Sequence, residues 1–395
     1  MDDADRVDTT DERRTSWWRR PPRTAIPALL LSVSLVHPGA DAAPPAPLCL
    51  AESGGASACD APDGGSSRAP GSGARHVGNP VDVVSGNKYL RDDDYRALGS
   101  PLGFARHYNS SLGEHDTGLG AGWRHTWQVV LSRLSENRLA VVQGDGRRIE
   151  FERRPDEPAR YLAVTPGDGE IALDGDAVWS LPDGRALAFR GSFLVRVTDA
   201  EDRPLRLFYR ERRLRTVTDH HGRVLELLYT PGRVAPLDEY EPRTDVERPG
   251  HLAAIRLPDG TSVRYRYDGR DSLTRVEHAG RVLQRYGYEN PDFPHHLTRR
   301  EADDVRAWGY DEAGRGASFA LDGRSLLAID FGGTEPGAAE GATEVRRPGG
   351  EVTRYRWHER GEGSPGSILS VTTSDRSTDA PSNEDPGREG LHRER

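Results

Sequence analysis

Between about residue 80 and residue 370, apolar and polar positions alternate in short runs, and the runs come in pairs. Leu214–Tyr229, LRTVTDHHGRVLELLY, shows the pattern most clearly. Its first arm is short and β-branched at Thr216, Val217 and Thr218. Its turn is Asp219-His220-His221-Gly222, where the glycine can take a positive φ without a Cβ penalty. In the second arm, Leu225, Leu227 and Tyr229 share a face by the period of two. One such hairpin is marginal in water. The chain repeats it.

Ahead of the series, Val81–Val84 and Lys88–Leu90 predict two short strands about a turn at Ser85-Gly86-Asn87. Leu102–Tyr108 predicts another strand, and a glycine-rich loop from Asn109 leads to Gly122–Trp127. Further hairpins are predicted over Leu139–Arg153, Ala177–Arg190, Leu194–Tyr209, Leu252–Tyr267, Leu273–Tyr288, Leu297–Tyr310 and Val345–Trp357. The leading leucines recur at about 20 residues, with one longer gap holding a Pro- and Glu-rich insertion, Thr230–Gly250. No helical period follows the first 42 residues. The expected fold class is all-β: an array of antiparallel β-hairpin repeats forming a curved or spiralling sheet.

Composition agrees with many turns. The chain has 395 residues, 44 Gly, 28 Pro and 35% hydrophobic residues. Acidic residues outnumber basic ones and the net charge is −9, so no nucleic-acid surface is expected. Lys88 is the only lysine, a bias toward arginine of the kind a GC-rich genome produces.

Residues 1–42 have the form of a signal peptide: arginines from Arg13 to Arg23, an apolar run Ala25–Val36 too short to span a bilayer, and Ala40-Asp41-Ala42 as a cleavage site. The mature chain is expected to be secreted, periplasmic or at the cell surface, without stable membrane insertion after cleavage. Residues 43–75 and 372–395 have the composition of a disordered linker and tail. Between them the division is an N-terminal cap over 76–155 and hairpin repeats over 156–371. Cys49 and Cys59 could close a disulfide in the linker or remain free thiols.

Candidate chemistry is sparse. There are 13 histidines, but His220-His221 and His295-His296 are adjacent pairs, whose side chains are expected to diverge and lie exposed in turns. No HxH or HExxH spacing exists, and no metal or cofactor is expected. The run Asp92-Asp93-Asp94 has the look of a solvated loop. No G-x-S-x-G elbow or calcium loop occurs, so no catalytic residues are assigned. Trp123, His125 and Trp127 fall on one strand face, where they could form a sugar-stacking platform or pack a cap.

Several stretches resemble the RHS/YD-repeat family. Leu273–Val276 with Gly280-Arg281 and Tyr286-Gly287-Tyr288, and Tyr310–Arg315, look like YD repeats. Gly78–Asp82 through Gly86, Arg106–Ser110 and Gly120–Trp123 resemble the domain of unknown function that often precedes those repeats. The resemblance implies a spiralling β-shell of the kind that encloses toxins. It makes a non-enzymatic, exported shell fragment the leading expectation, with a further shell chain, toxin or cargo at its C-terminal edge. A secreted carbohydrate-binding module is the alternative, and a glycan-active enzyme ranks below both.

Overall fold

The computed structural model describes residues 75–165, 167–231, 250–335, 338–358 and 367–374. The expected leader, the Cys49–Cys59 pair and most of the linker and tail lie outside the described residues. The described residues fall within one unit, Pro44–Arg395.

The described residues open with β1 (His76–Val77) and β2 (Val81–Asp82), a two-stranded ribbon. A three-stranded cap sheet follows, ordered β3 (Tyr89–Arg96), β4 (Gly103–Asn109) and β5 (Trp123–His125). From Val130 onward the described residues form one antiparallel wall of 22 strands. It begins with β6 (Val130–Arg133), β7 (Arg138–Val142), β8 (Arg148–Arg153), β9 (Arg160–Ala163), β10 (Glu170–Asp174), β11 (Asp176–Ser180), β12 (Ala186–Arg190) and β13 (Phe193–Thr198). It continues with β14 (Pro204–Arg210), β15 (Arg213–Thr218), β16 (Val224–Tyr229), β17 (Leu252–Arg256), β18 (Ser262–Tyr267), β19 (Leu273–His278) and β20 (Arg281–Gly287). It ends with β21 (Arg299–Glu301), β22 (Val305–Tyr310), β23 (Gly316–Leu321), β24 (Arg324–Asp330), β25 (Glu340–Arg346), β26 (Val352–His358) and β27 (Ser367–Ser374).

Each wall strand pairs with the next. Closure comes at β13, where Phe193 pairs with Val130 of β6 while Arg196–Thr198 pair with β14. That shared strand seals β6–β13 into a ring and sends the rest of the wall onward. The expected hairpins are all present. Two further strand pairs, β9–β10 and β23–β24, lie beyond the expected hairpins, and β27 runs to Ser374. The strands β6–β8 belong to the wall and not to the three-stranded cap sheet.

The turns show why these residues make hairpins. Asp219 accepts the amides of His221 and Arg223 on Oδ1, both at 2.9 Å, and the Arg223 Nε on Oδ2 at 2.8 Å. Asp311 does the same with Ala313 and Arg315. Gly222 and Gly314 supply the positive φ, +78° and +76°, that lets the chain return. His220 and His221 do not diverge as expected; their ring centroids are 3.9 Å apart.

Between hairpins a second device repeats. The ladder slips by one residue just before Phe189, Tyr209, Tyr229, Tyr267, Tyr310 and Trp357. Each slip is a β-bulge with its extra residue on the following strand. It sets Leu194, Leu214, Leu252 and Leu273 directly opposite Phe189, Tyr209, Tyr229 and Tyr267. The bulge also changes the inward spacing from two to three. Leu214 and Val217, Leu252 and Ile255, and Leu273 and Val276 are all buried. The regular arms pack in cross-strand rows, such as Val217 opposite Leu225 and Leu227 opposite Ile255, all fully buried.

Three tyrosines tie their hairpins shut. The hydroxyls of Tyr267, Tyr288 and Tyr310 donate to the carbonyls of Leu252, Leu273 and Leu297, each the leucine that opens the same unit, at 2.7–2.8 Å. Tyr288 also accepts the indole N–H of Trp123 at 2.9 Å. Tyr288→Phe should therefore cost about 1–3 kcal/mol in urea unfolding, because it strands a buried indole donor. Tyr209→Phe, at a hydroxyl without such a tether, should cost less than about 0.5 kcal/mol.

Candidate functional site

The densest chemistry lies where the cap sheet meets the wall. From Lys88 into β3, successive side chains meet wall strands in reverse order. Lys88 lies 4.2 Å from the ring centroid of Trp308 in β22. Asp92 bonds Arg300 of β21 at 2.7 Å and accepts the Tyr286 hydroxyl of β20 at 2.6 Å. Asp94 accepts the Tyr265 hydroxyl of β18 at 2.8 Å. The strand period that sends Asp92 and Asp94 inward sends Asp93 outward, to Arg91 and Arg96. The Asp92–Asp94 run is therefore not a solvated loop but one face of a buried joint.

Arg106 of β4 sits at the centre and is fully buried. It holds Asp94 with Nε and Nη2 at 2.7 and 2.9 Å, and donates to Tyr286 at 2.6 Å. Burial alone would favour losing its charge, but Asp94, Tyr286 and Asp92 outweigh that and raise its pKa well above the usual value. Burial likewise raises Tyr265 and Tyr286, so both hydroxyls stay protonated donors. Lys88, the only lysine in the chain, binds the carbonyls of Asn79 and Tyr89. Burial, then Arg306, pushes its pKa well down.

Other contacts sew the cap along the wall. Asn109 donates to the Asp145 carbonyl, Thr343 to the Val83 carbonyl, and the Leu297 amide to the Tyr108 hydroxyl. Arg106, Tyr108 and Asn109 come from the Arg106–Ser110 element noted in the sequence, and each has a joining role.

The candidate platform residues are inside this joint. Trp123, His125 and Trp127 are 0%, 2% and 1% exposed. Trp123 packs edge-on against Tyr286, Phe104 stacks on His125 at 4.9 Å, and the Trp127 indole donates to the Gly103 carbonyl. No ring face is open to a sugar. Burial, then Arg124, lowers the His125 pKa to about 3, so it is a neutral core residue. His295 and His296, expected in exposed turns, are buried at 7% and 8%.

One grouping escaped sequence reasoning altogether. Asp116 in the cap loop, His251 just before β17 and Asp271 in the β18–β19 turn bring possible ligand atoms within 4.8 Å of one another. No local spacing could reveal three residues that only the closed fold assembles.

Residues 78–151 match the family described as "Domain of unknown function (DUF6531)". The match takes in the cap and the first wall strands. Among curated proteins none matches the chain. Among solved structures the chain is similar to the crystal structure of TcdB2-TccC3, at 11% identity and a TM-score of 0.31, over 82% of this chain and 21% of that one. It is also similar to a Photorhabdus luminescens Tc holotoxin pore carrying a TccC3 mutation, at 13% identity and a TM-score of 0.29, over 82% and 20%. The chain thus spans about a fifth of the length of those chains.

The joint makes a directional prediction. Arg106→Met should destabilise the chain by about 3–5 kcal/mol, since it leaves buried carboxylates without their cation. Pairing it with Asp94→Leu should recover a large part of the loss in the same denaturant titration. A double variant as unstable as the sum of the singles would contradict the pairing.

Proposed function

We propose that the protein is an exported, non-enzymatic structural protein, an RHS-type shell segment whose own N-terminal sheet plugs it. The observation that carries this reading is the joint. The cap sheet spends its buried charges and aromatic rings on the wall and presents none of them to a small molecule. The YD-type reading of the repeats is supported by Tyr267-Asp268 and Tyr310-Asp311. In both, the tyrosine hydroxyl ties the unit and the aspartate accepts the amides of its turn.

The partner side of the proposal rests on β27. Among the described residues its one strand partner is β26, and Leu369 and Val371 are 60% and 42% exposed. A strand with an unpaired edge and exposed apolar side chains is a template for another strand. The partner is a further shell segment, or the toxin or cargo such a shell holds.

The test uses the product of the reading frame that follows this one. Mixed with the full mature chain, it should co-elute and gain protection from added protease. A Val371→Pro variant, which removes one donor from the edge, should weaken both effects. A product that neither co-elutes nor is protected would contradict the proposal.

A further inference from the structure

We propose that Asp116, His251 and Asp271 form a binding site for one divalent transition-metal ion of the zinc class. The proposal does not depend on whether the shell holds a partner.

Three separate pieces of chain supply the site: the cap loop, the residue that enters β17, and the turn between β18 and β19. His251 and Asp271 are 0% and 2% exposed. The His251 Nε2 lies 2.5 Å from the Asp116 Oδ2 and 3.9 Å from the Asp271 Oδ1. Donor atoms around a tetrahedral zinc, at bond lengths near 2.0–2.2 Å, stand about 3.4 Å apart. The two observed separations straddle that value, so an ion would sit among these atoms after small side-chain shifts, taking the place of the proton shared by Nε2 and Asp116. One imidazole with two carboxylates is a zinc-type donor set.

The surroundings hold the donors in place. The other Asp116 oxygen, Oδ1, accepts the amides of Gly118 and Gly120 at 2.7 and 3.0 Å, which fixes the carboxylate and turns Oδ2 toward His251. Gly120 has φ +98°, and a Cβ there would come within 2.9 Å of the Leu273 amide nitrogen. The loop can therefore lie this close to the wall only as glycine. The ring of Tyr267 packs beside His251 with centroids 4.8 Å apart. The next residue after Asp271, Ser272, is fully buried, and its hydroxyl makes no hydrogen bond among the described residues. Such an ion would staple the cap loop to the wall at two points.

The experiment titrates Zn²⁺ into chelator-treated full-length protein by calorimetry and follows the melting temperature. One saturable equivalent and a raised melting temperature are expected. Asp271→Asn and His251→Gln should each weaken binding by at least about tenfold while the far-ultraviolet dichroism is unchanged. Bound Co²⁺ should show visible d–d absorption that Asp271→Asn alters. If His251→Gln fails to fold, Asp271→Asn, which keeps the side-chain shape, decides alone. Absence of saturable binding, or binding that folded Asp271→Asn retains in full, overturns the proposal and leaves the cluster as a buried His–Asp contact.

Discussion

The wall depends on one recurring misfit in its hydrogen-bond ladder. A sheet of this many strands would flatten or splay if every pair stayed in simple register. Here an extra residue is inserted at six of the strand junctions, from β12–β13 to β26–β27. The insertion bends the strand and adds twist. It also places a leucine opposite an aromatic at the seam, as at Leu252 and Tyr229 or Leu273 and Tyr267. Curvature and core packing are thus set by the same residue. The first ring closes where Phe193 pairs with Val130, on the strand that also carries the first of these bulges.

Of the inner-face tyrosines, Tyr267, Tyr288 and Tyr310 donate to carbonyls of the wall, whereas Tyr265 and Tyr286 find their acceptors on the cap sheet. Arg106, Asp92 and Asp94 reach wall hydroxyls and Arg300, so charges that would be costly to bury singly are buried as a connected set. A buried network of this kind adds little net stability over a well-packed apolar core, but it penalises every other seating of the cap.

The hairpins were legible because two signals are local: the period-two alternation and the Asp-to-Gly turns. The bulge was also written in the chain, as a spacing of three between Leu214 and Val217 or Leu273 and Val276, but a period-two template does not register it. The strands β23 and β24 carry few large apolar residues in alternation, so their pairing is decided by the neighbours they join. The Asp92–Asp94 run was misread because like charges suggest solvent. Its two inward members become intelligible only beside Arg106 and Arg300, the second of them 208 residues from Asp92. The same holds for Asp116 and His251, which are 135 residues apart. Burial of Trp123, His125 and Trp127 was one of two readings the strand pattern allowed, and only the fold discriminates between them.

The central claim is that cap and wall are one cooperative unit joined at Arg106. Native-state hydrogen exchange measures this directly, without altering a residue. The account predicts that slow amides in β4, such as Ala105 and Tyr108, and in β18, such as Tyr265 and Tyr267, open with the same free energy, equal to that of global unfolding. Cap amides that open well below the wall amides, as a separate unit, would contradict it.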